Sequence, residues 1–218
     1  MESANTCTNK KQVEARTSWT PNVGDRKMQT VIIVTGTPGT GKTTCARELA
    51  KTIGANYLNV TQHVSKHRLY RGVDRERRTK IMDVPKTRAS LKRELGTMHG
   101  FSVVDTHIPE EIISREMVKQ VFVLRCHPRI LEGRLRDKRW KANKIRENVL
   151  AEIVDSCLSA GVKYFGWRKV IQIDTSRRNI RGCVASAKRS ILGEPMKRIK
   201  IDWISKLERE GLLDRYLK

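Results

Sequence analysis

Nowhere in these 218 residues do two cysteines stand in a Cys-x-x-Cys pair. The five present, Cys7, Cys45, Cys126, Cys157 and Cys183, are scattered and odd in number. That pattern argues against a structural zinc site and against a disulfide framework. His63 and His67 stand four residues apart without a third ligand nearby in sequence, which reads as a solvated helix face. Long apolar runs are missing too. None approaches the roughly 20 residues that a bilayer-spanning helix needs, and no signal-peptide core follows the N-terminus. The expectation is a soluble, cytoplasmic protein with no membrane partner, nuclear if its source is eukaryotic. Acidic residues are scarce: 23 Asp and Glu face 45 Lys and Arg, a net charge of +22. Solubility alone does not require that excess, and it points to a polyanionic partner, RNA first.

What the chain does contain is a complete phosphate-binding loop. Residues 36–43 read Gly-Thr-Pro-Gly-Thr-Gly-Lys-Thr. An apolar run at 31–34 precedes the loop and a helical pattern at 42–53 follows it, the context that gives this motif its meaning. Gly36, Gly39 and Gly41 let the backbone close around an anion, with N–H groups and a helix N-terminus aimed at it. Lys42 is the candidate for the β- and γ-phosphates, and the Thr43 hydroxyl for Mg²⁺.

Length fits one domain of ordinary size. Residues 1–27 carry only isolated apolar side chains without period and read as a disordered tail. Met28 sits just ahead of the first strand. Strands are expected at 30–35, 56–60, 101–104, 121–124 and 170–173. Helices are expected at 42–53, 85–98, 128–137, 141–160 and 179–192, with a short amphipathic helix at 201–216. Strands spaced by helices imply an α/β fold, a three-layer parallel sheet of the P-loop type, with nucleotide at the strands' carboxyl ends. The expected organisation is a kinase domain over 28–192 and a tail over 193–218.

Several kinds of phosphate-loop protein are disfavoured. A guanine-reading Asn-Lys-x-Asp is absent, because Asn143-Lys144 is followed by Ile145-Arg146. The strand-end Asp105 is followed by Thr106-His107 rather than Glu, unlike motor-type ATPases. A small kinase needs an acceptor-binding insert and a basic lid. Residues 59–95 and 134–147 are the candidates. The second contains Arg134, Arg136, Lys138, Arg139, Lys141, Lys144 and Arg146. A mobile basic lid neutralises phosphate charge and excludes water.

The phosphate loop, Val104-Asp-Thr-His107, Val121-Phe-Val-Leu-Arg125, Lys144-Ile-Arg-Glu-Asn148 and Ala151-Glu-Ile153 together resemble the adenylate kinase isoenzyme 6 family. These are small archaeal and nuclear kinases and ATPases linked to small-ribosomal-subunit maturation, and Ile201-Asp-Trp203 looks archaeal. The resemblance implies an adenylate-kinase fold with a helical AMP-binding insert and a short lid. It implies ATP and Mg²⁺ as cofactors and AMP as acceptor. A platform protein of the small ribosomal subunit and nearby rRNA are the implied partners. It assigns catalysis to Lys42, Asp105 and His107, metal to Thr43 and Asp105, and nucleotide contact to the loop glycines, Lys42, Thr43, Thr44, Lys138, Arg139 and Arg177. Asn59, Arg125 and Arg134 are implied substrate contacts. The chain departs from the family in two places. Lys138-Arg139-Trp140 stands where Arg-Gly-aromatic is usual, and Lys is only a point charge toward phosphate. Residues 66–94 carry eleven Lys and Arg against four Asp and Glu, a bias toward RNA. Two functions remain open on this reading: an adenylate kinase with ATPase activity, or an ATP-switched, rRNA-binding assembly factor with little kinase activity.

Overall fold

The computed structural model describes residues 30–74, 79–177, 179–195 and 198–217. The tail expected over 1–27 lies outside the described residues, as do Arg75, Arg77 and Arg78 of the basic insert.

Five parallel strands form the centre: β1 (Thr30–Gly36), β2 (Asn56–Asn59), β5 (Phe101–Asp105), β6 (Val118–Arg125) and β7 (Val170–Asp174), in the order β2-β5-β1-β6-β7. β1 explains its own position. Its apolar run has no polar face, so it suits only the middle of a sheet covered on both sides. Val31 and Ile33 point into one core with Leu91, Leu95, Leu158 and Phe165. Ile32 and Val34 point into the other with Leu49, Ala46, Val184 and Ala187. Helices α1 (Lys42–Ile53) and α8 (Ile180–Ile191) therefore cover one face. Helices α3 (Val84–Thr97) and α7 (Ser156–Phe165) cover the other.

The elements between β2 and α3 are α2 (Val60–Lys66) and an antiparallel hairpin, β3 (Tyr70–Asp74) with β4 (Thr79–Met82). The hairpin adds to the helical insert expected from sequence. Val73 and Ile81 on it are 56% and 53% exposed, while the half-buried face of β3 carries Tyr70, Gly72 and Asp74, so the apolar alternation by which a strand is recognised is missing. A short α4 (Pro109–Ile112) follows β5.

Two helix boundaries differ from the sequence expectation. The single helix expected over 141–160 is broken into α6 (Ala142–Ile153) and α7. The break falls at Asp155, with φ 57, a residue type that tolerates the left-handed region. Its carboxylate pairs there with the buried Arg125. The helix expected over 201–216 is two short ones, α9 (Trp203–Arg209) and α10 (Leu213–Leu217), separated at Gly211 with φ 65. Both pack back on the domain. Leu207 and Tyr216 join Leu131 and Leu135 of α5 (Pro128–Asp137) and Ile145, Val149 and Ile153 of α6 in a third core. A His127–Glu210 hydrogen bond and an Arg215–Glu132 ion pair tie the tail at its rim.

Candidate active site

The phosphate loop runs from the end of β1 to the start of α1. Gly36 has φ 138, and a Cβ there would lie 2.4 Å from the Leu124 carbonyl oxygen, so β6 and the loop can approach only with glycine. Gly41, the residue before α1, has φ 100. The Thr40 hydroxyl and the Lys42 ammonium both donate to the Thr37 carbonyl, at 2.8 and 3.1 Å. Lys42 is thus held at the loop before any phosphate arrives. Burial pulls its pKa below the ordinary lysine value, while Cys157, Asp105 and Glu152 pull the other way.

Asp105 closes β5 at the sheet's carboxyl edge and is 3% exposed. Its Oδ2 accepts from the Thr43 hydroxyl at 2.7 Å, from Asn59 Nδ2 at 2.6 Å and from the Tyr57 hydroxyl at 3.3 Å. Asn59 does two jobs: its Oδ1 caps α2 by accepting from the Gln62 N–H at 2.9 Å. The structure therefore brings together the phosphate loop, the entry to the insert and the strand-end carboxylate. His107 lies two residues beyond Asp105 with part of its surface in water. Desolvation first, and then the Lys42 charge, lower its pKa, opposed by Asp105.

A cavity of about 430 Å³ opens beside the loop. It is lined by Gly39, Gly41, Thr44, Arg134, Lys138 and Thr175, among others. Arg134 is 9% exposed. Its NH2 donates to the carbonyls of Thr175 and Ser176 at 2.6 and 3.2 Å, while its Nε, also buried, has no partner. Of the expected lid residues, Lys138 lines this cavity as Arg134 does. Arg139, with φ 56, and Arg177 are exposed and outside its lining. Within the segment expected as a lid, 134–147, a tight turn joins α5 to α6. It is closed by Arg139 N–H to the Arg136 carbonyl at 2.7 Å and Trp140 N–H to the Leu135 carbonyl at 3.2 Å.

Arg125 lies elsewhere. It is 1% exposed, behind the loop. Its Nε donates to Glu152 Oε1 at 2.8 Å, its NH1 to Gln172 Oε1 at 3.0 Å, and its NH2 to the Glu152 carbonyl and to Asp155. All three nitrogens are engaged inside the protein, so the guanidinium supports the site from behind rather than reaching a substrate.

Glu152 is the residue that the sequence reading left without a role. It is 2% exposed. Its Oε2 accepts from the Thr37 hydroxyl at 2.5 Å, and its Oε1 from Arg125 Nε, the Cys126 N–H at 3.0 Å and Trp203 Nε1 at 2.9 Å. One carboxylate thus joins the phosphate loop, β6, α6 and the tail. A signal was present: Glu152 stands seven residues after Ile145 and three after Val149, on the inward stripe of α6. A carboxylate on such a stripe must be paired.

Comparison with known proteins agrees with this geometry. Residues 32–155 match the family described as "AAA domain". A Methanocaldococcus jannaschii protein named "Putative adenylate kinase" is 30% identical over 175 residues, 80% of this chain and 93% of that one. The chain belongs to the same family as this archaeal protein. A second member, from Pyrococcus abyssi and of the same name, is 35% identical over 148 residues, 68% of this chain and 76% of its own. In fold, the chain is similar to a shikimate kinase from Acinetobacter baumannii. The TM-score is 0.55 with 16% identity, over 78% of this chain and 97% of the other. The family's fold is the P-loop kinase type expected from the sequence, with its parallel five-strand sheet. Among the described residues no helix is long and apolar enough to cross a membrane.

Proposed function

We propose that this protein is an adenylate kinase that transfers a phosphoryl group between ATP and AMP and also hydrolyses ATP. The observation that carries the reading is the convergence on Asp105. Thr43 from the loop and Asn59 from the insert meet on one carboxylate oxygen beside Lys42. Phosphoryl transfer needs positioning and charge neutralisation above all, and this arrangement offers both next to the insert between β2 and α3. The Thr43 hydroxyl and the Asp105 carboxylate are hard oxygen donors, a set that fits Mg²⁺. When bound, Mg²⁺ would neutralise charge between the β- and γ-phosphates.

The chain's own residues divide the remaining work. The loop N–H groups and Lys42 hold the β- and γ-phosphates. Lys138 and Arg134 face the cavity beside the loop, where they can contact nucleotide. Asn59 positions the insert against Asp105. His107 orients the acceptor, or a water when no acceptor is bound. Names of the archaeal relatives support AMP as the acceptor. A coupled assay with ATP, Mg²⁺ and each nucleoside monophosphate, beside a control without acceptor, tests the reading. AMP-dependent ADP formation is expected, and turnover indifferent to every acceptor would overturn the kinase assignment.

The charge of +22 favours a second reading, an ATP-switched factor bound to rRNA and a small-subunit platform protein. Its signature is salt dependence. Each phosphate contact to a single strand contributes a slope of about −0.7 in log K against log salt. RNA binding with a steep slope and negligible AMP phosphorylation would favour this reading; a flat slope would remove it.

A further inference from the structure

The insert carries a cluster of ligating side chains away from the nucleotide site. His63 on α2 is buried, contrary to the solvated face expected from sequence. Its Nδ1 lies 2.7 Å from Glu94 Oε2 on α3, and its Nε2 lies 2.9 Å from the Ser90 hydroxyl. The ring of His67, one turn on, lies 4.5 Å away between centroids, its plane tilted by 40°. The donor atoms of His63, His67 and Glu94 all lie within 4.8 Å of one another. The third ligand missing from the local sequence is thus supplied by a residue 31 positions after His63.

We propose that His63, His67 and Glu94 form a zinc-binding site that clamps α2 to α3 in the insert. Two imidazoles and one carboxylate are a ligand set that zinc accepts with a water in the fourth position. Tetrahedral zinc at ordinary bond lengths puts its donors about 3.3 Å apart. His63 Nδ1 and Glu94 Oε2, at 2.7 Å, are in direct hydrogen-bond contact, so zinc would replace the shared proton and widen the pair by about 0.6 Å. His67 is exposed and can swing inward without disturbing the core. Ser90 completes the arrangement. A metal-bound histidine characteristically donates its other ring N–H to a fixed partner, and Ser90 stands at Nε2 of His63. Metal on Nδ1 then needs only the tautomer with hydrogen on Nε2. The residue after His63 is Val64, so the helix offers no carboxylate base there, and the role is structural rather than hydrolytic.

The test uses the full chain, reduced, and zinc alone. Isothermal titration should show one zinc per chain, and thermal unfolding should move to higher temperature with zinc. His67→Ala, at an exposed position, should abolish both effects while leaving the circular dichroism spectrum unchanged. Glu94→Gln should also lose the site, and Ser90→Ala should weaken it about 10–100-fold. Cobalt in place of zinc should give tetrahedral bands without thiolate charge transfer. His67→Ala keeps every cysteine, so equal zinc binding by wild type and this variant overturns the proposal. So does a thiolate signature in the wild-type cobalt adduct, or an absence of zinc binding.

Discussion

Removing the Glu152 carboxylate isolates the buried network behind the phosphate loop. In Glu152→Ala, Arg125 loses its Nε partner and keeps Gln172, Asp155 and the residue 152 carbonyl. The Thr37 hydroxyl, the Cys126 N–H and the Trp203 indole N–H lose their acceptor together. Breaking one side of a buried ion pair costs about 3–5 kcal/mol, because the other charge stays buried. A domain of this size is stable by about 5–15 kcal/mol, so the loss takes a large share of the total. Glu152→Gln is the sharper variant. Its amide oxygen can still accept from Arg125, Cys126 and Trp203, and its NH₂ can face Thr37, whose hydroxyl can turn to accept. What disappears is the charge, worth about 1.5–3 kcal/mol for hydrogen bonds to an ionised group. Urea denaturation of wild type, Glu152→Gln and Glu152→Ala should rank them in that order of falling stability. Trp203→Phe combined with Glu152→Ala should cost less than the sum of the single changes, because both act on one network. A loss below about 1 kcal/mol in a folded Glu152→Ala protein would refute the claim that this carboxylate holds the network together.

Lys42→Ala should lower ATP turnover by about 10²–10³-fold or more, the usual effect of losing one preorganised group aimed at developing charge. Steady-state kinetics of the folded variant at near-normal rates would contradict the phosphate assignment. ATP binding should raise the His107 pKa, because triphosphate brings negative charge beside the Lys42 charge that now lowers it. Titration of the ring proton by NMR, with and without ATP, reads the sign directly, and a downward shift would move His107 away from the phosphates. Stability should fall on acidification. His63 and His107 both have folded pKa values below the ordinary 6.5, so the folded state prefers them neutral. That contribution is present above about pH 6.5 and is lost as pH falls through the lowered values. Denaturation midpoints at pH 7.5 and 5.5 check this, and a histidine-independent profile would count against it.

The phosphate loop, the sheet and most helix positions were legible because each has a local cause. β1 is apolar throughout, α1 begins after a glycine in the left-handed region, and α3 carries Pro85 in its first turn with Asp83 as cap. Asp105 was legible as the polar end of an apolar strand. The break at Asp155 was not, because Ile145, Val149 and Ile153 carry a helical period straight up to it. Its cause is tertiary: the carboxylate is needed by Arg125, thirty residues earlier. The same holds for Arg125. Local sequence shows an arginine at a strand end, and only the fold shows four acceptors already around it. The β3–β4 hairpin escaped because Val73 and Ile81 face water while Gly72 and Asp74 sit on the half-buried face, which leaves no apolar alternation to read.

The basic residues of the site are therefore not equivalent, and burial sorts them. Arg125 is committed to Glu152, Asp155 and Gln172 and has become part of the scaffold. Lys42 leans on a carbonyl of its own loop, a neutral partner that an anion can outcompete. Arg134 stands between these extremes: its NH2 is tied to the β7–α8 connection, and its buried Nε lacks a partner. An unmet buried donor costs about 1–3 kcal/mol, more for a charged group, and the residue that carries it lines the cavity next to the phosphate loop. A network satisfied everywhere except at the ligand is one that ligand binding can complete without rearranging what stands behind it. Glu152 and Arg125 supply that fixed background. On the proposed reading, Lys42, Lys138 and Arg134 are the cations left to meet phosphate.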